Sequence, residues 1–349
     1  MPKNIVIFSD GTGQEGGVGN NTNVYKLFNM VLDRSREQVA FYDQGLGTGW
    51  RKVTGNIGGG GISKNILECY KFIFEQYEAG DGIFLFGFSR GVATVRSLSA
   101  FIHLFGILPK SRPELIPRAY KIYKTRNRRK RDERAEAFVA RHHTMWCRIK
   151  FLGVWDTVAA LGLPFQTLDV LIDKVPIFRH RFQDFRLSKS VENAYHALAI
   201  DDERRTFHPV LWEAECEDDQ IVEQVWFCGM HTDVGGGYKE TGLSDISLGW
   251  MIEKAKPHGL HIYPDHEVDL SPDPNGTMHD SRGEALSKFY RRKVRNWPSD
   301  THGEPILHPS VRKRTMNRHN MDDPPYHPWI FESILAAPQA QDRSVSASA

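Results

Sequence analysis

The residues Gly87-Phe88-Ser89-Arg90-Gly91 carry the sharpest chemical signal in the chain. A serine hydroxyl becomes a useful nucleophile only when it is held in the open beside a base. Here Gly-x-Ser-x-Gly lies where the apolar run Ile83–Phe86 gives way to a helical pattern starting at about Arg90. That context predicts a sharp strand–turn–helix elbow with the serine at its tip. The flanking glycines remove side chains that would collide in such a turn. The hydroxyl would then stand at a helix N-terminus, where the Arg90 backbone N–H could donate to an oxyanion. A glycine-rich turn without chemistry is the other reading of the same residues.

A serine nucleophile needs a base, and the base needs an acid to fix its tautomer. On an α/β sheet both belong just past strand ends. Phe151 to Trp155 reads as a strand ending in Asp156. Val225 to Phe227 reads as a strand leading to His231 on the glycine-rich loop Thr232-Asp233-Val234-Gly235-Gly236-Gly237. The chain order serine, acid, histidine suits a hydrolase elbow. Asp156 could instead cap a helix, and His231 is one of 15 histidines. A second oxyanion donor is expected after the first strand, in Ser9-Asp10-Gly11-Thr12, from the N–H of Gly11 or Thr12. Asp10 either joins that site or turns its own loop. Asp10, Asp156, His231 and Asp233 could also be read as ligands of a metal-dependent phosphoesterase, which leaves the elbow unexplained.

The elements that must position these residues alternate between strand and helix, which predicts an α/β fold with a mostly parallel sheet. Strands are expected at Ile5–Phe8, Gln38–Tyr42, Ile83–Phe86, Arg148–Trp155 and Ile221–Phe227. Helices are expected at Ser63–Gln76 with Ser63 as N-cap, at Arg90–Phe105 and at Ser244–Lys256. The expected unit is one domain over residues 1–335, with helical insertions at about 110–146 and 159–190 and a disordered tail at 339–349. The 159–190 segment reads equally as a cap for acyl chains or as helices packed on the core.

With 349 residues, 40% of them apolar, the chain can bury a large core unaided. Lys and Arg number 45 against 43 Asp and Glu, a net charge of +2 that argues against a nucleic-acid-binding surface. Lys121–Arg134 holds eight basic residues and reads first as a solvated helix face, with contact to an anionic membrane surface as the alternative. The four cysteines form no CxxC pair and read as buried free thiols of a reducing compartment. The glycine-rich stretch Gly55–Gly61 lacks a phosphate-loop pattern. No cofactor or metal is expected. The first residues resemble a strand rather than a secretory leader, so a cytoplasmic location is expected, with signal-less export left open.

Several motifs together resemble one family. They are Phe8-Ser9-Asp10-Gly11-Thr12, Gly87-Phe88-Ser89-Arg90-Gly91, Gly153-Val154-Trp155-Asp156-Thr157-Val158, His196 to Arg205, Trp226 to Tyr238 and His308-Pro309-Ser310-Val311. In this order they are similar to the α/β-hydrolase family that contains the catalytic domain of type VI secretion phospholipase effectors. Val92 stands where that family usually carries alanine. The resemblance implies a Ser89, Asp156, His231 triad and esterase chemistry on acyl lipids, with phospholipids as substrates of the effector members.

Overall fold

The computed structural model describes residues 2–11, 16–17, 19–45, 60–157, 187–213, 216–264, 269–283, 291–316 and 325–331. Seven parallel strands form one sheet in the order β2-β1-β3-β4-β5-β6-β7. They are β1 (Asn4–Ser9), β2 (Gln38–Asp43), β3 (Gly82–Phe88), β4 (Ile149–Trp155), β5 (Asn193–Ala199), β6 (Ile221–Phe227) and β7 (Ile306–Leu307). A parallel sheet must be covered on both faces, so its strands read as nearly continuous apolar runs. Every residue of β1 is buried: Ile5 and Ile7 point into one core, Val6 and Phe8 into the other.

The first core is closed by α2 (Gly60–Gln76), α3 (Arg90–Phe105), α4 (Leu115–Tyr123) and α5 (Arg128–His142). The second is closed by α1 (Asn23–Met30) and α7 (Gly242–Ala255), with the short α6 (His231–Gly235) between β6 and α7. Further on lie α8 (Ser299–His302) and α9 (Pro309–Met316). β1 pairs with β2 on one side and β3 on the other, so the chain reverses its direction of travel across the sheet there. A crevice opens at such a switch point, beyond the carboxyl ends of the two strands. Gly11 and Ser89 stand at those ends.

The five expected strands are present within two residues of their expected bounds. β5 was not anticipated, because Asn193, His196 and three alanines give it little strand propensity. Burial between β4 and β6 outweighs that local preference. Helix α2 begins at Gly60, so Ser63 lies inside its first turn and is not its N-cap. The basic run resolves into the end of α4 and the start of α5, where Arg129 pairs with Glu133 at 2.9 Å and Arg128 with Asp132 at 3.8 Å. These are i,i+4 pairs along an exposed helix face. Cys69, Cys147 and Cys228 are buried, but Cys216 is exposed, which corrects the expectation of four buried thiols. The greater part of the 159–190 insertion, residues 12–15 and the 339–349 tail lie outside the described residues.

Candidate active site

Ser89 sits between β3 and α3 with φ 56° and ψ −118°, a conformation that L residues rarely adopt. Holding a non-glycine residue there costs about 1–3 kcal/mol and requires an over-determined surrounding. The glycines provide it. A β-carbon on Gly91 would lie 1.8 Å from the Ser9 carbonyl oxygen, and one on Gly87 would lie 2.9 Å from the Gly91 carbonyl carbon. Glycine at 91 lets the elbow press against β1, and glycine at 87 lets the start of α3 fold back against the end of β3. Ser89 is half-buried. Arg90 is the first residue of α3, so its N–H has no acceptor within the helix. Burial pulls the Arg90 guanidinium down to about 10.

Asp156 directly follows β4 and also has a positive φ, 38°. The neighbouring strand fixes it: Asp156 N–H donates to the Ala197 carbonyl at 2.8 Å, and Ala199 N–H donates to Asp156 Oδ1 at 2.9 Å. Its other oxygen, Oδ2, lies 2.7 Å from Nδ1 of His231. Facing an ionised carboxylate, Nδ1 carries the proton, and the neutral ring's accepting nitrogen is then Nε2.

His231 opens α6 rather than standing on an irregular loop. Its ring packs against Phe88, 4.6 Å away between centroids, and meets Phe207 edge-on at 5.2 Å. Phe88 is the residue before Ser89, so the ring packs directly behind the elbow. Its backbone N–H donates to Asp202 Oδ2 at 3.3 Å. His231 Nε2 is buried and has no hydrogen-bond partner among the described residues.

A residue that the sequence reading did not single out completes the cluster. Arg295 donates to Asp156 Oδ1 at 2.6 Å and to Oδ2 at 2.8 Å, and also to the carbonyls of Ala199 and Phe207. Burial alone would raise the Asp156 carboxyl, but the Arg295 charge and hydrogen bonds, with those of His231, hold it well below the usual carboxylate range. Arg295 lies in the run Arg291-Arg292-Lys293-Val294-Arg295, which reads as solvated charge. The structure inverts that pattern: Val294 is 42% exposed and Arg295 only 2%. No periodicity in the run points to this.

The loop after β1 departs from expectation. A β-carbon on Gly11 would lie 3.4 Å from the Ser89 β-carbon, so the loop does border Ser89. Yet Gly11 N–H already donates to Asp10 Oδ1 at 2.7 Å and is not free for an oxyanion. The Asp10 carboxylate faces inward, where it also accepts from the Thr22 hydroxyl at 2.5 Å and the Tyr42 hydroxyl at 2.8 Å. Asp10 thus shapes its loop, the second of its two readings. Thr12 lies outside the described residues.

The remaining acids serve backbone groups. Asp201 Oδ2 accepts from Gly229 N–H at 2.7 Å and the Tyr326 hydroxyl at 2.8 Å. Asp233 accepts from the N–H groups of Met230 and His279 at 3.1 and 3.0 Å and lies 2.7 Å from His279 Nδ1. Asp10 and Asp233 therefore face partners apart from the Asp156–His231 pair. Among the described residues no set of three or more His, Cys, Asp or Glu side chains is grouped to hold a metal ion.

The sequence pattern of the type VI secretion phospholipase effector Tle1-like catalytic domain matches residues 3–254. The chain belongs to this family. Tle1-like catalytic domains are named for phospholipase effectors. The uncharacterized Saccharomyces cerevisiae protein YEL023C is 27% identical over 223 residues, covering 59% of this chain and 32% of its own length. The aligned part is thus about a third of that relative. An uncharacterized Pseudomonas aeruginosa protein of known structure superposes with a TM-score of 0.47 at 15% identity, over 78% of this chain and 49% of its own. The Tle1 effector, solved bound to the VgrG spike of the type 6 secretion system, superposes with a TM-score of 0.37 at 18% identity, over 69% of this chain and 52% of its own. The Tle1-like pattern ends before Arg295, which reaches the site from beyond the matched residues.

Proposed function

We propose that this chain hydrolyses acyl-lipid esters through an acyl-enzyme on Ser89, with His231 as general base and Asp156 as the acid that orients it. One observation carries the reading: His231 is tied through Nδ1 to Asp156, while its buried Nε2 has no partner among the described residues, directly behind the strained Ser89 elbow. In this mechanism Nε2 takes the Ser89 proton as Oγ attacks the ester carbonyl. The same proton passes to the departing alcohol. Water, deprotonated by the same nitrogen, then releases the acyl group. The Arg90 N–H receives the oxyanion at the start of α3. A phospholipid is the substrate class that the family name favours.

The test is hydrolysis of p-nitrophenyl acyl esters and phospholipid vesicles by wild type and Ser89→Ala, with a fluorophosphonate probe and peptide mapping. The expected result is covalent labelling at Ser89 and a loss of about 10⁴-fold or more in turnover for the variant. Hydrolysis by Ser89→Ala at the wild-type rate would overturn the mechanism.

A further inference from the structure

We propose that Arg295 is a positioning residue of this site, holding the Asp156 carboxylate in place and ionised so that His231 can act as base. The inference rests on the triad reading above and adds a fourth member from outside the family's matched span. The guanidinium forks onto both oxygens of Asp156, which is the strong, directional form of this pair. Each terminal nitrogen also donates to a carbonyl, one to Ala199 and the other to Phe207, so the fork is itself held from two sides.

The segment bearing Arg295 is strapped to the loop after β5. Arg205 N–H donates to the Arg291 carbonyl at 3.0 Å, and Lys293 N–H donates to the Glu203 carbonyl at 2.8 Å. Arg292 forks onto Glu203 at 2.7 and 2.8 Å. The Arg292–Glu203 contacts are exposed, apart from the buried Arg295–Asp156 pair. Phe207, whose carbonyl Arg295 also grips, presents its ring to His231.

The electrostatic role follows from what else faces the pair. Asp202, beyond β5, accepts from the His231 N–H but is neutralised by Arg204, which donates to both its oxygens. His196, on β5, is buried beside Thr157. Asp233, in α6, is turned to His279. Asp201 is turned to Gly229 and Tyr326. Among the described residues Arg295 is therefore the one cation in contact with Asp156. A buried carboxylate stripped of its counter-charge takes up a proton more readily.

The experiment compares wild type, Arg295→Met and Arg295→Lys as full chains, reading kcat and kcat/KM for a p-nitrophenyl ester against pH. The low-field proton resonance of His231 Nδ1 is followed in parallel. Arg295→Met should move the acid limb of kcat/KM up by about 1 pH unit or more, the displacement expected on losing an arginine beside a carboxylate. It should lower kcat about 10- to 100-fold through misplacement of the acid, with KM within about threefold of wild type. Arg295→Lys should restore the acid limb while kcat stays reduced, since a point charge cannot reproduce the fork. A folded Arg295→Met protein with the wild-type acid limb and resonance would overturn the proposal. Should Arg295→Met not fold, Arg295→Lys decides: a displaced resonance with reduced kcat supports it, and wild-type values of both overturn it. Failure of the triad reading is distinguishable, because it shows in Ser89→Ala whereas the resonance reports the Arg295 effect without turnover.

Discussion

Gly91 backs onto Ser9 so closely that a β-carbon on it would lie 1.8 Å from the Ser9 carbonyl oxygen. The obstruction is backbone, which cannot rotate away as a side chain can. Gly91→Ala should therefore destabilise the protein by about 3 kcal/mol or more. Gly87→Ala, whose added carbon would meet backbone at 2.9 Å, should cost less. Urea unfolding midpoints check the order. Equal stability of Gly91→Ala and wild type would refute this account of the elbow.

Asp156→Asn separates two roles of one carboxylate. It removes the acid partner of His231 and leaves the Arg295 charge buried without its counter-ion. Turnover should fall by about 10⁴-fold, as when other triad acids become amides. Stability should fall by about 3–5 kcal/mol, the usual cost of breaking a buried pair from one side. His231→Ala should match the loss of turnover yet be the more stable of the two, because Asp156 keeps Arg295. The comparison needs ester kinetics and denaturant unfolding on the same preparations.

Burial raises the Asp10 carboxyl to about 6, outweighing the hydrogen bonds from Thr22, Gly11 and Tyr42, with Asp43 adding to the rise. The folded protein then holds this proton more tightly than the unfolded chain, whose ordinary value is 3.8. Between those values the native state binds more protons, so its stability falls as pH rises through the window and levels off above it. Asp10→Asn has no such proton. Relative to wild type it should gain up to about 3 kcal/mol between pH 4 and 7. Unfolding of both proteins at several pH values tests this, and a flat difference would contradict it.

Thiol labelling should distinguish the cysteines by burial. Cys216 is exposed, whereas burial raises the Cys69 thiol well above its ordinary value and pushes Cys147 and Cys228 up to about 12. The thiolate is the reacting form. A thiol reagent at neutral pH should modify Cys216 rapidly in the native protein, and the other three only on unfolding. Peptide mapping after brief labelling reads the outcome, and rapid labelling of Cys147 would count against the packing described here.

Local pattern alone made the strands leading to Ser89, Asp156 and His231 legible, as well as the helix that follows the serine. Each is a long apolar or periodic run bounded by glycine or a polar residue, which is the strongest signal a sequence carries. The same chain order named Asp156 and His231, and folding brings them to 2.7 Å. What required the tertiary structure was every feature set by partners distant along the chain. β5 is a strand because two neighbours bury it, against the propensity of its alanines. The Asp10 carboxylate faces inward to meet the Thr22 and Tyr42 hydroxyls, 12 and 32 residues away. Arg295 leaves a run of exposed charge to meet a carboxylate 139 residues away in the chain. A single buried carboxylate can reverse the usual preference of arginine for water, and that energy depends on where two distant segments meet. Periodicity registers which residues share a face, but carries no record of such a meeting.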